Sequence, residues 1–573
     1  MSEETGESQP EEIDAVAFET PVPAGMVEEE EQHATPAAPL VTLGLGSLIW
    51  ITAGLVFALM RLGPIWQAAV GGAELLHLAG SWQASVGLHD DRFVPTLFQA
   101  ITALLFHASD SEIPARIIAY GATLTIPCAI YRLRKTIGEP AALLALIVLA
   151  FEPLSIDVGS SASAMGFDLA ISAWLFVLLA EGKTPRPGVV AAAAFLVTTS
   201  GPVVLPLVLA ALLVAMFRHL KTPVATIREC AIGVVVGVAV TSVAYGVGPV
   251  TLRIAPFDLF AASFDQPWAT PATWQVLALY SGSLVIGAAV AGVVYVRRFS
   301  LGITTGPWLI LLVGWTAAAG AWVAAGSQAH TVAAAAAITL PAAILVGIAL
   351  NEALPAMLRA DWSRARFLLP AALVAGLIAT NFVIDWARMD RVGDFREESI
   401  VTLLCLVAVA AIAAVAMDRR GRPTLLAVAL SVAMLPTLSG AFGIGLSSVD
   451  EPVPSPRATA QGRQLRDIAL DTIARQGGII SIHPRIEAAA TWPFRDSGDV
   501  EIASTPGAEA TFVLWPAGLE PPAGFVPLEG TWALTESVRP PTRDFLRYLR
   551  WVTDRNTLVI TPAGVNVYLK ASQ

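Results

Sequence analysis

Between residues 61 and 116 the chain gathers the side chains best suited to chemistry: Glu74, His77, His89, Asp90, Asp91 and Arg92, with Arg116 at the end. A carboxylate at a water interface can take the proton of a hydroxyl as that oxygen attacks an electrophilic carbon. A guanidinium or a neutral imidazole can hold a phosphate as it departs. Glu74, Asp90 and Asp91 are therefore candidates for the base, and Arg92 and Arg116 for the phosphate. Each acid also has a plain reading as a solvated loop residue, and the distant His330, at the end of a later segment, has one as an interface histidine. The length of the stretch sets it apart, because connections between apolar segments are usually short.

The elements that must position these residues are membrane helices. A chain of 573 residues with 55% hydrophobic and 14% charged side chains cannot hide its apolar surface in soluble domains of ordinary composition. The net charge of −11 comes partly from residues 1–39, rich in Glu and Pro and free of Lys and Arg, which read as a disordered acidic head with no basic start of a cleaved signal. No basic stripe suited to nucleic acid is present. Cys128, Cys230 and Cys405 all fall in apolar segments, as small buried hydrophobes would, and write no disulfide or zinc framework.

A first apolar run at 40–60 is long enough to span a bilayer and places Arg61 at its outer end. Further runs lie near 113–131, 141–156, 167–180, 189–199, 203–217, 231–247, 276–296, 308–323, 332–350, 367–384, 400–417 and 424–442, roughly thirteen spans in all. The pair around Ser200-Gly201-Pro202 reads as two short crossings, although one broken helix has the same pattern. Alternate connections carry the basic residues, among them Arg132, Arg134 and Lys135, then Arg297 and Arg298, then Arg419, Arg420 and Arg422. These are the expected cytoplasmic loops. The head is then cytoplasmic, and the large first loop at 61–116 faces outward. Trp82 and the other tryptophans read mainly as interface anchors and packing. After residue 442 the pattern changes to a small α/β domain at 443–573, expected outside the cell membrane beside the first loop. It shows a polar helix at 463–475, short β-branched runs at 478–482 and 510–514, and a closing hairpin turning at Thr561-Pro562-Ala563-Gly564. The fold class is thus an all-α polytopic membrane protein, with about thirteen helices by the hydropathy rule, and a small C-terminal α/β extracytoplasmic domain.

Several segments resemble the GT-C superfamily of membrane glycosyltransferases, which includes protein O-mannosyltransferases and aminoarabinose transferases. They are LGPIWQAAVGGAELLHLAGSW, FVPTLFQAITALLFHASDSEIPARIIAY, the YRLRKTIG turn, and AALLALIVLAFEPLSIDVGSSASAMGFDLAISAWLFVLLAEG. The tail segments ATWPFRDSGDV, ATFVLWPAG and DFLRYLRWVTDRNTLVITPAGVNVYLK are similar to the outer domain of a bacterial and archaeal branch described as flippase-activity-associated. The resemblance implies inverting transfer of a sugar from a polyprenyl-phosphate donor to a glycan, lipid or protein acceptor at the outer face. It implies Glu74 as base, where relatives carry an acidic pair and this chain reads Ala73-Glu74. His89-Asp90-Asp91-Arg92 could assist or bind a divalent cation such as Mg or Mn, as some relatives require; a hydrated, metal-free turn is the competing reading. Ser160-Ser161 stands where relatives place Arg after Ser, so one phosphate clamp is missing, and Asp157 and Asp168 lie nearby, the former as an interfacial acid. His330 falls where relatives line the donor site, Trp82 could stack on a sugar ring, and Trp492, Arg495 and Asp496 could contact the acceptor or dock on the first loop.

Two other classes compete. A non-catalytic relative that handles lipid-linked glycans or assists membrane-complex assembly would explain the missing acidic partner and Arg. A transporter is opposed by the scarcity of charges at mid-span.

Overall fold

In hydrocarbon a backbone must satisfy its own hydrogen bonds, so long apolar runs become helices. The computed structural model describes residues 45–358 except 68–69, 72, 87–95, 110, 182–187, 218–223, 245–275, 278, 303–305 and 326–334; residues 437–445 except 439; and residues 457–570 except 487–489, 491, 495–499 and 540–558. The chain divides into two units, Met1–Leu48 and Ile49–Gln573. Only the opening turn of the first helix represents the former among the described residues, and the elements beyond that turn belong to the latter.

Five described helices are long and apolar enough to cross a membrane: Gly46–Trp66, Ile113–Ile137, Gly282–Ser300, Pro307–Ala324 and Ala335–Ala353. Of the roughly thirteen runs expected from hydropathy, those at 367–384 and 400–417 and most of 424–442 lie outside the described residues.

The first helix, α1 (Leu45–Gln67), does not stop at residue 60. It carries Arg61 as an interior, fully buried residue, not as the outer end of an anchor. The first loop that comes after it is itself helical, with α2 (Ala73–Ser85) and α3 (Leu97–Phe106). The sequence Thr96-Leu97-Phe98-Gln99 closes a capping box: Thr96 Oγ1 accepts from Gln99 N, and Gln99 Oε1 accepts from Thr96 N at 3.1 Å. Helices α4 (Ile113–Thr123) and α5 (Thr125–Ile137) then run as one span, and α6 (Glu139–Ala150) turns into α7 (Pro153–Ser160) through a 69° bend. Pro153 has no N–H to continue the α6 ladder, which is why the chain breaks there.

Helix α8 (Ala164–Ala180) is buried along most of its length. Its Asp168 accepts the Gly201 N–H at 2.8 Å and so pins the break between α9 (Val189–Thr199) and α10 (Leu205–Phe217). Beyond α11 (Val224–Ala244) come α12 (Gly282–Ser300), α13 (Pro307–Ala325) and α14 (Thr339–Leu358). Small residues set the closest approach: a Cβ at Gly347 of α14 would stand 2.7 Å from Ala141 O of α6. Phe176 and Trp315 meet at the centre of the core, 5.3 Å between rings. Cys128 and Cys230, expected as buried hydrophobes, are exposed on α5 and α11; a membrane helix leaves apolar side chains on its lipid face because burial in protein has no advantage over lipid there.

The C-terminal part is a six-stranded mixed sheet in the order β1-β5-β6-β4-β2-β3, backed by α15 (Ala460–Gln476). The strands are β1 (Arg457–Ala458), β2 (Ile479–Ile482), β3 (Val500–Ile502), β4 (Ala510–Pro516), β5 (Phe525–Arg539) and β6 (Val559–Lys570). The expected closing hairpin is absent, since β6 runs straight through Thr561-Pro562-Ala563-Gly564, paired with β5 from Ser537 to Ala533. A proline is tolerated there because β4 pairs only with the half of β6 from Val565 onward, so Pro562 pairs with β5 alone and its other side is a sheet edge among the described residues. The register shift between Pro527 and Thr531 is absorbed by Gly530 at φ 100°, a conformation that side chains with a Cβ avoid.

Candidate active site

Helix α2 begins with Ala73-Glu74, where the free N–H groups and dipole of a helix start favour a carboxylate. Glu74 is 3% exposed and meets the fork of Arg116, 2% exposed, in the first turn of α4. Arg116 Nε donates to Glu74 Oε1 at 2.7 Å and Nη2 to Oε2 at 2.9 Å. Arg116 Nη1 donates to Ile65 O at 3.0 Å, and Ala162 N donates to Glu74 Oε1 at 2.8 Å. One ion pair thus ties together the end of α1, the start of α2, the start of α4 and the link from α7 to α8. Burial of two charges is repaid only when the geometry is good and the remaining lone pairs are satisfied, and here both carboxylate oxygens are engaged.

The sequence nominates Glu74 as base, and the structure shows both of its oxygens engaged, Oε1 by two donors and Oε2 by one. It nominates Arg116 for phosphate, and the structure shows its fork on Glu74. Asp157, which the sequence marks only as an interfacial acid, stands half-buried on α7, close enough to Glu74 and Arg116 for their charges to act on it. Its carboxylate accepts no hydrogen bond from any described residue. The signal for Asp157 was present in the sequence only as an acid between two apolar runs; that α7 folds back toward α2 depends on the bend at Pro153.

Around this cluster, Gln99 Nε2 lies 3.0 Å from His77 Nδ1, one turn along α2 from Glu74. Because Gln99 Oε1 accepts from Thr96, its amide nitrogen must be the donor, and His77 carries its proton on Nε2. Ser160 Oγ turns back to Ile156 O at 2.9 Å, and Ser161 Oγ meets Ser163 Oγ at 3.3 Å. Trp82 packs edge-on against Phe106 at 5.5 Å, and Phe106 lies 5.7 Å from Trp492, which is 5% exposed. Trp492 therefore belongs to the apolar cluster of the first loop, the docking alternative for that residue. Ala458 N also donates to Val70 O at 2.8 Å, so the sheet domain and the first loop lie on the same side of the helices.

His89, Asp90, Asp91, Arg92, His330, Arg495 and Asp496 lie outside the described residues. Among the described residues no three His, Cys, Asp or Glu side chains gather in a way that could hold a metal ion.

No family model matches the chain, and no curated protein sequence matches it. Its structure is similar to that of ArnT from Cupriavidus metallidurans bound to undecaprenyl phosphate, with 14% identity and a TM-score of 0.50 over 92% of this chain and 98% of that one. The same protein in the apo state gives 15% identity and 0.47 over 81% and 86% of the two chains. An oligosaccharyltransferase from Archaeoglobus fulgidus in complex with Zn and sulfate gives 11% identity and 0.44 over 82% and 68%. At such identities the first of these likenesses speaks for a shared fold.

Proposed function

We propose that this chain, whose fold is that of the GT-C superfamily, is a membrane glycosyltransferase that uses a polyprenyl-phosphate-linked sugar at the outer face of the cell membrane. The observation that carries the reading is the buried Glu74–Arg116 pair with Asp157 beside it, where the first two spans meet the first loop. The structural neighbour ArnT was captured with undecaprenyl phosphate, a lipid of the proposed donor class.

In this reading Asp157, whose carboxylate accepts no hydrogen bond among the described residues, takes the proton of the acceptor hydroxyl. The acceptor oxygen bonds to the anomeric carbon from the side opposite the phosphate, the sugar–phosphate C–O bond breaks, and polyprenyl phosphate leaves with the electron pair, inverting the configuration. Glu74 and Arg116 hold the site's shape and charge, and Glu74 itself can act as base only by parting from Arg116. Arg92 and His330 are assigned to the departing phosphate, and Asp90 and Asp91 to assistance or, with His89, to a divalent cation such as Mg or Mn. The head is placed on the cytoplasmic side and the sheet domain outside, which agrees with the contact between that domain and the first loop.

A non-catalytic role in lipid-linked glycan handling or complex assembly is favoured by one observation, the engagement of both Glu74 oxygens. Membranes containing the protein, supplied with labelled undecaprenyl-phosphate hexoses and pentoses, decide between the two. Asp157→Asn is expected to lower transfer by about 10²–10⁴-fold, the usual contribution of a general base, with folding intact. Loss of transfer in Glu74→Gln alone, with Asp157→Asn active, would move the base to Glu74. Absence of transfer in the parent with every donor supports the assembly role.

A further inference from the structure

The bend between α6 and α7 holds a second set of buried charges that the proposed reaction does not use. Arg61 of α1 is 0% exposed, with its guanidinium 3.5 Å above the ring of Phe57. It donates from Nη1 to Phe57 O at 2.9 Å, and from Nη2 to Leu149 O at 3.1 Å and Ser155 Oγ at 2.8 Å. Leu149 O is the carbonyl that a residue at position 153 would meet with its N–H in an unbroken helix, and Pro153 has none. That oxygen accepts instead from Glu152 N at 3.3 Å and from Arg61 Nη2.

Glu152, also 0% exposed, works on the other side of the break. It is the N-cap of α7, its carboxylate accepts from Ser155 N, and its second oxygen accepts from Ser281 Oγ at the start of α12. Ser155 therefore stands between the two charges, accepting from Arg61 and donating to Glu152. The fit against α7 is close, for a Cβ at Gly159 would lie 3.0 Å from Arg61 Cδ. Burying charge inside a membrane protein is expensive, and the network offsets that cost through Arg61 Nη1 and Nη2 and both Glu152 oxygens, while Arg61 Nε has no partner among the described residues.

We infer that Arg61, Ser155, Glu152 and Ser281 are positioning residues: they set the direction of α7, so that Asp157 and the Ala162 N–H are presented to the Glu74–Arg116 pair. The inference rests on the reading of that pair as the reaction centre. Pro153 removes one rung of the helix ladder, and the direction in which the chain resumes is left to the groups that meet Leu149 O and the Ser155 N–H. Arg61 of α1 donates to the first, and Ser281 before α12 holds the Glu152 carboxylate that meets the second, which also fixes two helices far apart in sequence against the same turn.

The test reads the orientation of α7 without turnover. With Asp157→Cys as reporter, a membrane-impermeant methanethiosulfonate labels position 157 at a measured rate. Glu152→Ala is expected to raise that rate about tenfold, as α7 samples other directions, and Ser281→Ala to raise it in the same sense. Glu152→Gln, which keeps the acceptor for Ser155 N, and Ser281→Thr restore the parent rate. In protein with Asp157 intact, Ser281→Ala lowers kcat at unchanged KM and Ser281→Thr recovers it. Should Glu152→Ala fail to reach the membrane, Ser281→Ala carries the same expectation. Labelling rates within twofold of the parent in both alanine variants, with thermal stability reduced, overturn the inference and leave the network a structural support. Labelling needs no sugar transfer, so failure of the proposed function leaves this outcome separately readable.

Discussion

At the scale of the residue, the Glu74–Arg116 pair shows how one ion pair can serve shape and chemistry unequally. Arg116→Ala leaves the Glu74 carboxylate buried with no counter-charge and is expected to cost about 3–5 kcal/mol, the usual penalty for breaking a buried pair from one side. Replacing both together, Glu74→Leu with Arg116→Met, should recover most of that stability, because well-packed apolar side chains of similar volume often equal a buried pair. Thermal unfolding in detergent, followed by tryptophan fluorescence, measures both. If the pair belongs to the reaction centre, the double variant unfolds near the parent temperature and still transfers no sugar. The sequence offered Glu74 and Arg116 as separate agents, one for a proton and one for a phosphate. Their separation of 42 residues gives no sign that they bind each other, because the contact depends on where α2 and α4 begin.

Among the elements, the breaks matter as much as the helices. Gly201, at φ −81°, has a backbone that any residue adopts, so its glycine answers a spatial need: a Cβ there would run into Asp168 Oδ2. Gly201→Ala should therefore cost about 1–3 kcal/mol, as overpacking of a tight contact does. In an Asp168→Ala background the obstacle is gone, and the same substitution should cost less than about 1 kcal/mol, a coupling in the range found for touching residues. A double-mutant cycle on unfolding midpoints tests this, and equal costs in both backgrounds would mean that Asp168 does not hold the α9–α10 break. The capping box at Thr96 depends on four adjacent residues alone. The direction of α7 was not legible in the sequence, since Arg61 and Ser281 reach its start from two distant parts of the chain.

For the molecule as a whole, the attachment of the sheet domain to the first loop is the contact that joins its two kinds of structure. Trp492 fills the cluster of Phe106 and Trp82, and Val70 lends its carbonyl to Ala458 at 2.8 Å. Trp492→Ala is expected to remove about 3–5 kcal/mol from that attachment, the usual cost of deleting a buried tryptophan. Hydrogen exchange should then accelerate in α2 and α3 and stay unchanged in β4, whose core is Phe512 and Leu514 against β6. Acceleration in both, or in neither, would contradict a docking role for this residue.

Composition and periodicity by themselves determined that this chain folds as membrane helices followed by a small sheet domain, because hydrocarbon permits little else for long apolar runs and because alternation marks strands wherever it occurs. They also marked the first loop as the place to look, through its length and its acids. Only the tertiary structure decided that Glu74 is held by Arg116 while Asp157 accepts no side-chain hydrogen bond among the described residues, that Arg61 is an interior residue of α1, and that the last strand passes through a proline and a glycine without turning. The reason is the same in each case: partners brought together by a bend, a helix start or a neighbouring strand are set by contacts between distant segments, and no local pattern records them.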